Sequence, residues 1–156
     1  MPTNDDPNLC GSPQTTARTT SNLPHRSTGR RVLIVDDEPS IRDVMSRILR
    51  RQGHAVEVAA NGAGALALAR AGAFDLIICD LNLPGTSGLD IYAELVRERL
   101  LGGALFALAT GEAGASASPE VVGFGGLPLL AKPFELAGLI DLVGRVPTVR
   151  AGRSAA

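Results

Sequence analysis

Lysine is almost missing from this chain. Fourteen arginines accompany a single lysine, Lys132. Where planar guanidinium groups serve throughout, one compact ammonium on a flexible stem marks a different task. Tryptophan is absent, tyrosine occurs once, and aromatic residues make up 3% of the 156. The interior must therefore be built from aliphatic side chains. Cysteine is scarce: Cys10 lies in a polar stretch and Cys79 ends an apolar run. Two thiols so placed exclude a disulfide framework and point to a reducing, cytoplasmic compartment. No apolar run approaches a membrane span, and the N-terminus lacks the apolar centre of a signal peptide. The net charge is -1, which gives no ground for a nucleic-acid surface or for binding an anionic membrane. What is present, 45% hydrophobic residues, suffices for one domain with a real core.

Residues 1–30 are rich in Thr, Ser, Pro and Asn. They bury too little to offset their ordering entropy, so a disordered tail is expected there. Residues 31–146 read as the folded domain, and 147–156 as a flexible C-terminal tail. Val32–Val35 is a continuous apolar run, the signature of a strand buried on both faces. Pro39 suits the first turn of a helix. Ile41, Val44, Met45, Ile48 and Leu49 follow at helical spacing, and Gly53 stands at the C-cap position. Further strands are expected at 55–59, 74–79, 104–109 and 127–131, with Pro128 near the start of the last. Helices are expected at 63–71, 89–99 (stripe Leu89, Tyr92, Leu95, Val96) and 135–145 (stripe Leu136, Leu139, Ile140, Val143). Asn61-Gly62 reads as an ordinary turn, and His54 as an exposed turn residue. "GEAGASASPEVVGFGG" is a poor helix because of its glycines. Ser118 and Pro119 could open a short one, and residues 113–118 are expected to be mobile.

Strands alternating with helices imply an α/β fold with a parallel sheet covered on both faces. Sites in such sheets lie beyond the carboxyl ends of the strands. There the sequence places Asp36 and Asp37 after the first strand, Asp80 after the third, Thr110 after the fourth and Lys132 after the fifth. A cluster of carboxylates repels itself unless it binds something. Hard oxygen ligands of this kind suit Mg²⁺. Asp80 can attack a phosphoryl group to form an acyl phosphate, while Lys132 and Thr110 contact its oxygens. Any one of these residues alone has a plain structural explanation as a helix cap or loop residue. Together they do not. Glu38 is read as a favourable charge at the following helix N-terminus.

These segments resemble the receiver domain of two-component response regulators. "LIVDDEPSIRDVMSRIL" is similar to the opening strand and helix of that family, and "DLIICDLNLPGTSGLDI" to its phosphoacceptor segment. "LATGEA" and "LLAKPFE" resemble its Thr/Ser and Lys-Pro segments. The resemblance implies a flavodoxin-like, doubly wound, five-stranded parallel sheet of order 2-1-3-4-5 with five helices, the fourth short or mobile. It implies Asp80 as phosphoacceptor, with Mg²⁺ held by Asp36, Asp37, Asp80 and the backbone carbonyl of Asn82. By the same resemblance Thr110 and Lys132 are expected to contact the phosphoryl group, and the Lys132-Pro133 bond is expected to be cis. Asn82 and Glu112 fall where the lifetime of the acyl phosphate is tuned, and polar residues there imply fairly quick self-dephosphorylation.

The chain departs from that pattern at Leu129, where receivers commonly carry the Tyr or Phe of a Thr–aromatic switch. That keeps a phosphorylation-independent adaptor as an alternative. An aspartyl-phosphate phosphatase is another, although the relevant acids there stand one residue apart rather than adjacent. Gly62, Gly64 and Ala67 also fit a G-x-G-x-x-A dinucleotide fingerprint. The expected output is protein–protein contact, because little sequence follows the last helix. The expected donor is a sensor histidine kinase or a histidine phosphotransfer protein, with a downstream target the sequence does not name. The protein is expected to be a phosphoacceptor rather than an enzyme.

Overall fold

A computed structural model of the chain describes residues 29–111 and 126–147. Strands β1 (Arg31–Val35), β2 (Ala55–Ala59), β3 (Leu76–Asp80), β6 (Leu105–Thr110) and β7 (Leu129–Ala131) form one sheet of order β2-β1-β3-β6-β7. Every pairing in it is parallel. Two further short strands, β4 (Asn82–Leu83) and β5 (Thr86–Ser87), form a separate antiparallel hairpin directly after β3. With that hairpin set aside, the order is the expected 2-1-3-4-5. Four helices are described: α1 (Pro39–Arg51), α2 (Gly62–Ala71), α3 (Gly88–Arg97) and α4 (Leu136–Gly144). The expected helix near Pro119, the mobility of 113–118 and residues 1–28 and 148–156 of the expected tails lie outside the described residues; Arg30, placed in the first tail, is held instead by His54 and by the Pro147 carbonyl.

Alternation along the strands divides the core into two layers. Leu33 and Val35 of β1, Ile77 and Cys79 of β3, and Phe106 and Leu108 of β6 pack under α2 and α3. Val32, Ile34, Leu76, Ile78, Ala107 and Ala109 pack under α1 and α4, against Met45, Leu49, Leu139 and Leu142. The scarcity of aromatics shows here: Tyr92 and Phe106 make one ring contact, at 4.9 Å, and aliphatic side chains fill the rest.

Several details differ from the sequence reading. The stripes were too wide. Val44, Val96, Leu136 and Ile140 are exposed, because each sits at the edge of its apolar arc while Met45, Leu95, Leu139 and Leu142 take the centre. Asn61 is not a plain turn residue. Its side chain accepts the Gly64 N–H at 2.8 Å and caps α2, which places Gly62 and Gly64 inside the helix rather than in a phosphate-cradling loop. β7 begins at Leu129, two residues later than expected, because Pro128 has no N–H to give and contributes only its carbonyl to Leu108 N–H at 2.9 Å.

His54 is half-buried rather than exposed, and its Nδ1 accepts the Arg30 N–H at 3.1 Å. Burial, and then the Arg30 charge, hold its pKa below 6.5. The fold thus favours the neutral ring. That contribution to stability is complete above pH 6.5 and is lost as pH falls through the lowered folded value. Chemical denaturation across this window is expected to show stability falling with acidification. His54→Gln should flatten that slope, and an identical slope in the variant would remove His54 from the account.

Arg99, just past α3, adopts φ 59°, a conformation that costs a side-chain-bearing residue free energy. Arg99→Gly is expected to stabilise the protein by about 0.5–1 kcal/mol, read as a higher urea midpoint at unchanged slope. A midpoint that falls would show that the arginine side chain matters more than its backbone.

Candidate functional site

The site begins where β1 and β3 run out of sheet. Asp36 follows β1 and is only 2% exposed. Its side chain turns back to accept the Glu38 N–H on Oδ1 at 2.9 Å, and its carbonyl accepts Arg42 Nη1 at 2.5 Å. Both contacts tie Asp36 to the start of α1. Asp80 is the last residue of β3, the central strand, and is 8% exposed. Its Oδ1 accepts the Asn82 N–H at 3.0 Å, so the β4–β5 hairpin grips the carboxylate it follows. Asp37 is exposed beside them. One oxygen each from Asp36, Asp37 and Asp80 come within 4.8 Å of one another.

Lys132 reaches this cluster from the other side of the sheet. Its backbone N–H donates to the Thr110 carbonyl at 2.7 Å, extending the β6–β7 ladder by one residue. Its Nζ donates to Asp36 Oδ2 at 2.6 Å and to Asp80 Oδ2 at 2.8 Å. The Lys132-Pro133 bond is cis. Burial works to lower the Lys132 pKa, but the hydrogen bonds and charges of Asp36 and Asp80 outweigh it. The ammonium is held protonated beyond its ordinary range. Thr110 ends β6 on the same edge and is buried.

Burial, then the charges of Asp80 and Asp36, push the Cys79 thiol far up, so it stays protonated. Its Sγ–H points at the Asp80 carbonyl oxygen, 3.4 Å away. The thiol is a packing group here, not a nucleophile.

Asp36, Asp37, Asp80, Thr110 and Lys132 therefore share one edge, and Asn82 stands next to it. Leu129 is half-buried on β7, paired with Leu108 two steps inside the sheet from the Thr110–Ala131 pair, and lies against the α2/α3 layer. Glu112 lies outside the described residues. Sequence reasoning missed Arg42, whose role depends on a helix turn bringing it back over Asp36, and the grip of the Asn82 N–H. Three carboxylates against one ammonium leave the pocket with surplus negative charge. An all-oxygen donor set of this kind fits a hard dication that keeps several waters.

A parallel five-stranded sheet with acids at two strand ends and a Lys-cis-Pro at a third defines a signalling receiver. Residues 32–144 match the model of the response regulator receiver domain, and the chain belongs to that family. Among curated proteins it is 32% identical over 138 residues to the transcriptional regulatory protein TcrA of Mycobacterium tuberculosis, covering 81% of this chain and 53% of that one. It is 35% identical over 113 residues to the response regulator receiver protein Anae109_2439 of Anaeromyxobacter sp., covering 72% and 47%. The chain thus spans about half the length of these curated relatives. Among solved structures, the chemotaxis response regulator CheY4 of Vibrio cholerae matches with TM-score 0.70 and 33% identity, over 76% of this chain and 99% of that one. TrrA of Thermotoga maritima, solved in complex with Mg²⁺–BeF, matches with TM-score 0.66 and 29% identity over 76% and 99%. No helix among the described residues is long and apolar enough to cross a membrane.

Proposed function

We propose that this receiver takes a phosphoryl group onto Asp80 from a phosphohistidine of a sensor histidine kinase or phosphotransfer protein, and signals by contact with a downstream protein. The observation that carries the reading is the Asp80 carboxylate. It ends the central strand 2.8 Å from the Lys132 ammonium, within a cluster of three carboxylates. One Asp80 oxygen attacks phosphorus and forms the O–P bond. The N–P bond of the donor breaks, and its electron pair returns to the imidazole, which takes up a proton. The Lys132 ammonium and the Thr110 hydroxyl face the transferred group and offset its charge. Asp36, Asp37, Asp80 and the carbonyl of Asn82 would hold Mg²⁺, which when bound supplies charge neutralisation for the phosphoryl oxygens. Asn82 and Glu112 set how readily water attacks the acyl phosphate.

The Mg²⁺–BeF complex of TrrA supports this reading, as does the 36% identity over 121 residues with the sensor histidine kinase AruS of Pseudomonas aeruginosa. Several relatives are transcriptional regulators, so a net charge of -1 does not by itself exclude nucleic acid from the pathway. The test is intact mass after incubation with acetyl phosphate and with a phosphorylated histidine donor, each with Mg²⁺. A labile gain of one phosphoryl mass, suppressed by EDTA, is expected. No gain from either donor would favour the phosphorylation-independent adaptor.

A further inference from the structure

Gly88 opens α3, and its N–H donates to the Leu81 carbonyl at 2.8 Å. Its φ does not lie in the left-handed region, so backbone conformation does not demand glycine. Space does. A Cβ on residue 88 would stand 2.5 Å from the carbonyl oxygen of Asp80, 3.2 Å from its carbonyl carbon and 2.8 Å from Leu108 Cδ2. The first and last of these are closer than any real Cβ approaches, so something must move.

What can move is limited. Leu108 is fully buried in β6. α3 is held by the Ser87–Asp90 capping box and by buried Leu89, Ile91 and Leu95. β3 is paired on both sides, to β1 and β6. Its carboxyl end is the least restrained part, since Asp80 pairs only with β6 and not with β1. The displacement falls on the phosphoacceptor.

We propose that Gly88 is a positioning residue for phosphoryl transfer: the absent side chain lets the first turn of α3 rest directly on the Asp80 main chain and fixes the carboxylate against Lys132, Asp36 and Asp37. This rests on the reading of Asp80 as the acceptor. Nothing in the five-residue constellation of strand ends includes Gly88, which acts only through the backbone it touches. A shift of about 1 Å in a reacting group can cost about a hundredfold in rate.

The experiment compares wild type, Gly88→Ala and the double variant Gly88→Ala/Leu108→Val. Circular dichroism gives the fold. The rate of phosphoryl gain from acetyl phosphate gives the chemistry, and ¹⁵N amide shifts under MgCl₂ titration give cation affinity, both well below the unfolding midpoint. Gly88→Ala is expected to fold, to accept phosphoryl about tenfold to a hundredfold more slowly, and to bind Mg²⁺ about tenfold more weakly. The double variant relieves the Leu108 contact but not the Asp80 carbonyl contact, so it should regain stability without regaining rate or affinity. Recovery of both would show that position 88 matters only for core packing and would overturn the proposal, as would wild-type rate and affinity in Gly88→Ala. If Gly88→Ala alone does not fold, the double variant decides in the same way. If wild type gains no phosphoryl group from acetyl phosphate or from a phosphorylated histidine donor, the acceptor reading fails separately, and the Mg²⁺ titration alone decides whether Gly88 positions the cluster.

Discussion

Asp80→Ala is expected to abolish the phosphoryl gain while leaving the protein folded and as stable as wild type, or more so. On the proposed reading the nucleophile is an Asp80 carboxylate oxygen, and alanine removes it without substitute. Asp36 and Asp37 remain nearby, but they leave from β1, and Asp36 is already committed to Lys132 Nζ, the Glu38 N–H and the first turn of α1. A loss of more than about a thousandfold in rate is therefore expected, because no neighbouring group duplicates the reacting atom. Stability should move the other way. In wild type, Asp36 and Asp80 are two buried carboxylates drawn to one ammonium, and their mutual repulsion is only partly offset. Removing Asp80 leaves Lys132 and Asp36 as a simple pair, worth a change of about 0–1 kcal/mol in favour of the fold. Intact mass with acetyl phosphate and Mg²⁺ reads the first outcome, and urea denaturation the second. Retained phosphoryl gain in the variant would move the acceptor to β1 and end the assignment.

How much of this was visible before folding varied with the kind of residue. β1, β3 and β6 were legible because a strand buried on both faces must be apolar at every position, and Leu33–Val35 or Ile77–Cys79 admit few other readings. Their carboxyl ends were legible for the same reason: the residue after such a run has to be where the sheet surfaces. That placed Asp36, Asp37, Asp80, Thr110 and Lys132 on one edge. The β4–β5 hairpin was not legible as strand, since two residues a side leave no periodicity, although Pro84-Gly85 signals its turn and Gly85 takes φ 78°. Helix stripes were overcalled at Val44, Val96 and Ile140 because hydrophobicity alone does not separate the centre of an apolar arc from its edge. Arg42 and Gly88 escaped notice because their importance is a distance to another segment, and only the fold supplies it. His54 was misread as an exposed turn residue because its partner is the Arg30 main-chain N–H, to which any sequence pattern is blind.

Lys132→Ala is the second large effect. The Lys132 side chain is 18% exposed and its two partners are 2% and 10% exposed. Removing it strands two carboxylates, with Asp37 beside them, in a pocket that keeps their like charges close. Breaking a fully buried pair costs several kcal/mol; the residual exposure of Lys132 lowers the expected loss here to about 2 kcal/mol. The loss should depend on cation. Millimolar MgCl₂ would raise the thermal midpoint of the variant more than that of wild type, because a dication binding only the folded state takes over the neutralising role. Phosphoryl gain should also slow by at least about tenfold even at saturating Mg²⁺, since on the proposed reading the ammonium offsets the charge of the transferred group from a different strand. Arginine at this position should not rescue. Its planar fork is larger and more rigid than an ammonium, so it is not expected to reproduce the 2.6 Å and 2.8 Å contacts that the single Lys132 Nζ makes with the two carboxylates. Melts with and without MgCl₂ for wild type, Lys132→Ala and Lys132→Arg decide it. A stability loss that MgCl₂ leaves untouched would mean that Lys132 holds the β7 end of the sheet rather than the charge balance of the acidic cluster.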